Sequence, residues 1–428
     1  MSFEDALTRL LEVGVSLGAQ RATEEVSLQS AHGRVLARAV ISTISVPPMD
    51  NSAMDGYAIR MADAHLVLPV SQRIPAGSAA LPLVPETAAR IFTGAPIPSG
   101  ADTVVLQELV TTTDVANAAA IQVNAQAHQG DWIRRAGEDI TEGSEVVAAG
   151  TLIDPIVCGL IASVGQATVT VYIRLRVACF FTGDELTMPG QPLRTGAIYN
   201  SNRFVLTAAL RDCGCEVLDL GIVPDTLAAT RSALVEAAQQ CDLIITSGGV
   251  SVGEEDHIKP AVQAEGSIDM WQISMKPGKP LAWGQVRKGG KRGNIGGNKD
   301  NDAAVGSDAN PGGNPMAQFL GLPGNPVSSY ATFALLAKPF IRALQGAMYR
   351  APTQYNLQAD FDWPRPDKRR EFLRALVLPN GYLQLYPTQS SGALTSLARA
   401  DGLIDNPGGN RIAQGDWVRF IPFANSAL

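Results

Sequence analysis

Histidine and cysteine are scarce in this chain, with four and five among 428 residues. Cys158, Cys179, Cys213, Cys215 and Cys241 form no C-x-x-C and only one close pair, in CGC, which argues against a zinc site and for a reducing compartment. Cys213 and Cys215 read as turn residues flanking Gly214 rather than as reactive thiols. Excess positive charge is also lacking. Against 34 Lys and Arg stand 41 Asp and Glu, a net charge of -7, so no general basic field invites nucleic acid and any anion must be held locally. No apolar run approaches the ~18 residues of a membrane-spanning helix, and MSFEDALTRLLEVG lacks the basic start and apolar stretch of a secretory signal. The expectation is a cytoplasmic protein with neither membrane nor nucleic acid as partner.

What is present suffices for about three domains of roughly 150 residues each. Ala6, Leu7, Leu10, Leu11 and Val15 fall at helical spacing after an acidic first turn, predicting an amphipathic helix over 3–18. From Val35 to Ile140 short strand-like runs (VLARAVIS, YAIRMA, RIFTGAPIPSGADTVVLQEL and IQVNA) are cut by proline and glycine, a β-rich pattern. A strand, a helix capped by Asp154 with Pro155 at its first position, and another strand then return the chain to a small domain begun near residue 23. From Leu175 strands alternate with helices, implying a parallel sheet with right-handed crossovers. Asn200 or Ser201 caps one helix, Asp225 or Thr226 the next, and Asn325 a third with Pro326 at N1. Residues 287–316, with eight glycines and five asparagines, cannot bury enough apolar surface to offset ordering and read as a disordered surface insertion. The remainder reads as a small β domain.

The pattern converges on CDLIITSGGVSVGEEDHIKPAV. Leu243, Ile244 and Ile245 suit a strand covered on both faces. In the turn that follows, Ser247, Gly248 and Gly249 let backbone N–H groups approach an anion. Glu254, Glu255 and Asp256 follow at once. In a parallel sheet ligands lie beyond the carboxyl ends of the strands, so TGDEL with Asp184 and Glu185, VPDT with Asp225, the SGG turn and LPGNP share one edge. Oxygen ligands without histidine or cysteine point to magnesium. Lys276 and Lys279 flank a proline-glycine turn and offer two ammonium charges to an anion. Lys368, Arg369, Arg370 and Arg374 form a charge run, and most such runs are wet faces.

In order, MDNSAMDGYAIR, RIFTGAPIPSGAD, RRAGEDI, FTGDEL, GAIYNSN, TSGGVSVGEEDHIK, KPGKP and LPGNPVSS resemble the molybdopterin molybdenumtransferase family, from about residue 3 to the end apart from the insertion. The resemblance implies an α/β and β multidomain fold. A doubly wound catalytic domain like the molybdopterin adenylyltransferases would span 3–22 and 175–346, a small linking domain 23–41 and 144–174, a mostly-β inserted domain 42–143, and a C-terminal β barrel 347–428. It implies a homodimer with an active site shared between subunits. The activity implied is insertion of molybdate into adenylylated molybdopterin, with magnesium-dependent release of AMP and molybdenum cofactor. Partners would be the molybdopterin adenylyltransferase and molybdoenzyme apoproteins or their chaperones. Carried over by position, the catalytic residues would be Asp55, Thr93, Asp139, Glu185, Asp225 and Asp256, of which Glu185, Asp225 and Asp256 would hold magnesium. Ser247, Gly248, Gly249, Lys276, Lys279, Pro323, Pro326, Ser328, Arg370 and Ser391 would contact substrate. One departure is Gln272, where relatives can carry lysine. A pterin adenylyltransferase, sharing the SGG-type turn, and a non-catalytic peptide-binding scaffold are the alternative readings.

Overall fold

The structure, a computed structural model, describes residues 1–115, 118–124, 126–250, 257–278, 280–289 and 315–423. It divides into two units. One comprises residues 25–32 and 36–170, the other residues 1–24, 33–35 and 171–428.

The first unit is mostly β. Its six-stranded sheet runs in the order Thr103–Leu106, Gly56–Ile59, Ala88–Ile91, Val67–Ile74, Ala118–Val123, Val110–Val115, and all pairs are antiparallel except Ala88–Ile91 with Val67–Ile74. Strand-like runs predicted at YAIR, RIF and IQV fall in this sheet. Of VLARAVIS only Val40–Ile41 is a strand, paired with Glu145–Val147, because alanine and arginine interrupt its alternation. Successive residues of Gly56–Ile59 feed opposite faces: Ala58 joins Ile74, Ala89 and Ile91 on one side, and Tyr57 and Ile59 join Leu68 and Ile121 on the other. The helix at Pro155–Ser163 forms as predicted, with Asp154 accepting from Val157 N–H at 2.8 Å.

The second unit is built on a six-stranded sheet in the order Glu216–Val223, Arg176–Thr182, Leu243–Ser247, Met316–Leu322, Pro280–Arg287, Gly266–Gln272. The first four strands are mutually parallel. The last two join by antiparallel pairing, so the expected parallel sheet is extended by two antiparallel strands: Pro280–Arg287 and Met316–Leu322 form a hairpin whose connection carries the glycine-asparagine segment. Residues 290–314 of the predicted insertion lie outside the described residues. Its ends do not, since Arg287 pairs with Met316 and Lys288 N–H reaches Pro315 O at 2.8 Å.

The apolar runs of the central strands bury on both faces. Val177, Cys179, Phe181 and Ile245 pack with Leu10, Leu206, Leu210 and Phe340, while Ala178, Phe180 and Ile244 pack with Leu234, Ala237, Ile258 and Val262. Each such large side chain contributes about 2 kcal/mol. Helices therefore cover both sides. Asn200 caps Ser201–Asp212 by accepting from Arg203 N–H at 3.1 Å, and Thr226 caps Leu227–Gln240. Asn325 occupies the N-cap position before Pro326 but its side chain makes no capping bond, a correction to the predicted cap.

The N-terminal helix, Phe3–Gly18, buries Ala6, Leu10, Gly14 and Gly18 rather than Val15, which is 53% exposed. It lies against Lys338–Leu344 so closely that a Cβ on Gly14 would come within 2.7 Å of Ala343 Cβ. The C-terminal sheet runs Met275–Lys276, Arg370–Val377, Gly402–Asn406, Trp417–Pro422, Tyr355–Gln358, with Leu383–Leu385 also pairing Arg370–Val377. Its first strand is thus borrowed from the KPGKP segment.

Candidate active site

The four parallel strands end at Val223, Thr182, Ser247 and Leu322, and register places these ends side by side: Thr182 opposite Val223, Phe181 opposite Ser247, and Ser247 opposite Leu322. The loops carrying Glu185, Asp225, the SGG turn and LPGNP therefore leave one edge, as the sequence predicts. Pro280 begins an antiparallel strand and pairs with Gln272, which brings the KPGKP turn to that edge too.

Backbone packing explains the glycines. A Cβ on Gly248, whose φ is +102°, would stand 2.4 Å from Thr182 O, and one on Gly183 would stand 2.6 Å from Glu185 Oε2. The first contact locks the SGG turn onto the TGDEL strand end, and the second shows the Glu185 carboxylate folded back over it. Glu185 is exposed and Asp225 half-buried. Glu254, Glu255, Asp256 and Lys279 lie outside the described residues. Among the described residues no three His, Cys, Asp or Glu side chains stand close enough to hold a metal. Glu185 and Asp225 nonetheless suit a hard divalent cation, being oxygen donors from adjacent strand ends. Beside them Thr182 Oγ1 is buried with no hydrogen-bond partner among the described residues.

Ser247 is buried, and its hydroxyl donates to Pro323 O at 2.9 Å while accepting from Asn202 Nδ2 at 2.8 Å. Asn202 also donates to Gly324 O at 2.7 Å. Asn202 was not among the residues singled out in the sequence, although the motif GAIYNSN contains it. Pro326 and the buried Ser328 begin the Pro326–Thr332 helix, against which the KPGKP turn packs. A Cβ on Gly278 would meet Thr332 Oγ1 at 2.5 Å and Ser328 O at 3.5 Å.

The remaining cations divide. Lys276 donates to Glu371 Oε1 at 3.1 Å and stands 3.7 Å from Asp367. Arg370 makes two 2.6 Å bonds to Asp405, also pairs with Glu4, and lies over the rings of Phe3 and Phe372. Its guanidinium is committed within the chain. Arg374, one member of the charge run, is 1% exposed and has no salt-bridge partner among the described residues. Among the described residues its guanidinium donates only to the carbonyls of Thr388 and Ser390, and its Nε has no partner. Burial pushes its guanidinium down to about 10. The same loop presents Ser391, whose carbonyl accepts from Val327 N–H at 3.0 Å. No sequence signal separates Arg374 from Arg370 in KRREFLR.

In the first unit three motifs form one hydrogen-bonded cluster. Asn51–Ser52 pairs with Ile133–Arg134, and Ser52 exchanges bonds with Gly94 and Ala95. Asp55 accepts from Thr93 N–H at 2.8 Å and Thr93 Oγ1 at 2.9 Å. These bonds, the backbone one first, hold the Asp55 carboxyl below the usual carboxylate range. Asp50 accepts from Ala136 N–H at 2.9 Å and Arg135 Nη1 at 2.6 Å, tying MDNSAMDG to RRAGEDI, and Asp139 N–H bonds Val46 O at 3.0 Å. Nothing in the sequence pairs Asp50 with Arg135, since one acidic residue in a motif with two gives no cue to its partner.

Three family models cover most of the chain: "MoeA N-terminal region (domain I and II)" matches residues 1–165, "Probable molybdopterin binding domain" 178–343, and "MoeA C-terminal region (domain IV)" 356–423. Over its full extent the fold is similar to the molybdopterin biosynthesis moeA protein from Pyrococcus horikoshii OT3, with TM-score 0.77, 24% identity, and 99% and 100% of the two chains covered. In sequence the chain is 35% identical to the molybdopterin molybdenumtransferase of Haemophilus influenzae over 99% of this chain and 98% of the relative. It is 37% identical to molybdopterin molybdenumtransferase 2 of Mycobacterium tuberculosis over 89% and 90%. With identity at this level over nearly the whole length, and the strand-end loops gathered on one edge, the chain belongs to the molybdopterin molybdenumtransferase family.

Proposed function

We propose that this protein inserts molybdate into adenylylated molybdopterin and hydrolyses the phosphoanhydride, releasing AMP and molybdenum cofactor. The observation that carries the reading is the meeting of the TGDEL, VPDT, SGG and LPGNP loops at the carboxyl ends of four parallel strands. Phosphoanhydride cleavage requires positioned charge more than a strong nucleophile. The SGG turn is the proposed contact for the pterin or its phosphate, with the Gly248 N–H already turned to Leu322 O at 3.3 Å. Glu185, Asp225 and Asp256 would hold magnesium, which when bound neutralises charge developing on phosphate oxygens. The carboxylates of this set orient water. Lys276, Lys279, Ser328 and Ser391 are the proposed oxyanion contacts. Arg370 is a further proposed contact, its guanidinium also bonded to Asp405; Arg374, with no carboxylate partner among the described residues but only 1% exposed, would have to be uncovered to join it. Asp55, Thr93 and Asp139 complete the proposed catalytic set, with Pro323 and Pro326 fixing the LPGNP turn.

We further propose the four-domain division stated above and a cytoplasmic homodimer with an active site shared between subunits. It would receive substrate from the adenylyltransferase and deliver cofactor to molybdoenzyme apoproteins or their chaperones. The test is AMP release from adenylylated molybdopterin with magnesium, with and without molybdate. Molybdate-dependent release, reduced at least about a hundredfold in kcat by Asp256→Ala with smaller change in KM, is expected. Formation of adenylylated pterin from ATP would instead identify an adenylyltransferase, and neither activity in folded protein a scaffold.

A further inference from the structure

The LPGNP turn and the SGG turn belong to different strand ends, and their backbones touch: a Cβ on Gly324 would meet Gly248 Cα at 3.7 Å, and Gly248 N–H approaches Leu322 O at 3.3 Å. Ser247 Oγ also joins the turns directly, donating to Pro323 O at 2.9 Å. A side chain from outside both turns braces this junction on either side. Asn202 gives one amide hydrogen to Ser247 Oγ and the other to Gly324 O, at 2.8 and 2.7 Å. The polarity of this network is set by counting protons. Ser247 has a single hydroxyl proton, used on Pro323 O at 2.9 Å, so the bond with Asn202 must be donated by the amide. Gly324 O can only accept. The post itself is firm, since Asn202 is the second residue of the Ser201–Asp212 helix, which Asn200 caps and which buries Leu206 and Leu210.

We propose that Asn202 is a positioning residue that fixes the separation of the SGG and LPGNP turns and thereby the width of the cradle that receives the phosphate end of the substrate. Its catalytic consequence rests on the function proposed above; the clamp itself does not. Asparagine is required because aspartate, of the same shape, has no hydrogen to offer Gly324 O and sets two acceptors against each other.

The experiment compares wild type, Asn202→Asp and Asn202→Ala by amide hydrogen exchange and by steady-state kinetics with adenylylated molybdopterin. In Asn202→Asp, exchange at Gly248, Gly324 and Asn325 should accelerate about tenfold or more, while helix amides from Leu206 to Leu210 change less than about twofold. KM should rise about tenfold with kcat within about threefold; Asn202→Ala, which removes the bonds without adding repulsion, should show a smaller rise. Unchanged exchange in the turns of both variants would overturn the clamp. Accelerated exchange with KM unchanged would overturn its link to substrate. Uniform acceleration through the helix as well would reduce Asn202 to a role in overall stability, and the alanine variant decides this if the aspartate variant does not fold. An inactive wild type would sink the proposed function, leaving the exchange measurement to decide the clamp.

Discussion

Arg370 and Arg374 sit four residues apart on one strand and share a face, yet their surroundings oppose each other. Arg370 neutralises Asp405, a carboxylate with 0% side-chain exposure whose other cation, Arg419, stands at 3.6 Å. Replacing Arg370 with methionine leaves that carboxylate buried with one distant partner, so Arg370→Met should destabilise by about 3 kcal/mol, measured as the free energy of urea unfolding. A loss under about 0.5 kcal/mol would show the pair to be dispensable. The sequence shows both arginines as members of one charge run, because burial depends on which cross-strand neighbour each one meets. Lys276 was similarly readable as a free cation until the borrowed strand placed Glu371 beside it. Carboxylates at strand ends were easier to find: a continuous apolar run followed by glycine and acid marks both the strand and its exit.

At the scale of elements, the N-terminal helix was predicted within its observed bounds, but its buried stripe was assigned to larger residues. Hydrophobic periodicity registers side chains that fill space and is blind to glycines that make room for a neighbour. At Gly18 a Cβ would stand 2.1 Å from Ala343 O, an atom of a helix backbone that cannot rotate away. Gly18→Ala should therefore cost about 2 kcal/mol and lower Tm by several degrees, whereas alanine at an exposed helical glycine would stabilise. Calorimetry finding Gly18→Ala as stable as wild type would mean that the two helices separate freely. Strand direction was the other loss. PLAWGQV and MAQFLGL are both mostly apolar runs broken by a single glutamine, and burial on two faces leaves no record of which way a strand points. A tight turn would have announced a hairpin, but here the connection is long.

For the molecule as a whole, that connection has a definite address. Because Pro280–Arg287 runs against its neighbour, Arg287 and Met316 lie at the edge opposite Leu322 and the other strand ends that carry the proposed chemistry. The address is also braced: Asp242, at the start of its strand, accepts from Lys288 Nζ at 3.1 Å and Arg21 Nη1 at 3.2 Å. Replacing residues 290–314 by a short glycine-serine link, with Lys288 and Pro315 kept, should leave kcat/KM within about threefold and Tm within a few degrees, since loop length enters stability only logarithmically. A loss beyond about tenfold would give the segment a part in turnover. The sheet of the second unit thus has one edge where the strand-end turns pack backbone to backbone and an opposite edge closed by the pairing of Arg287 with Met316. An engineer could graft a reporter domain at that closed edge, and a lineage could lengthen or discard sequence there, with the reaction unaware of the change.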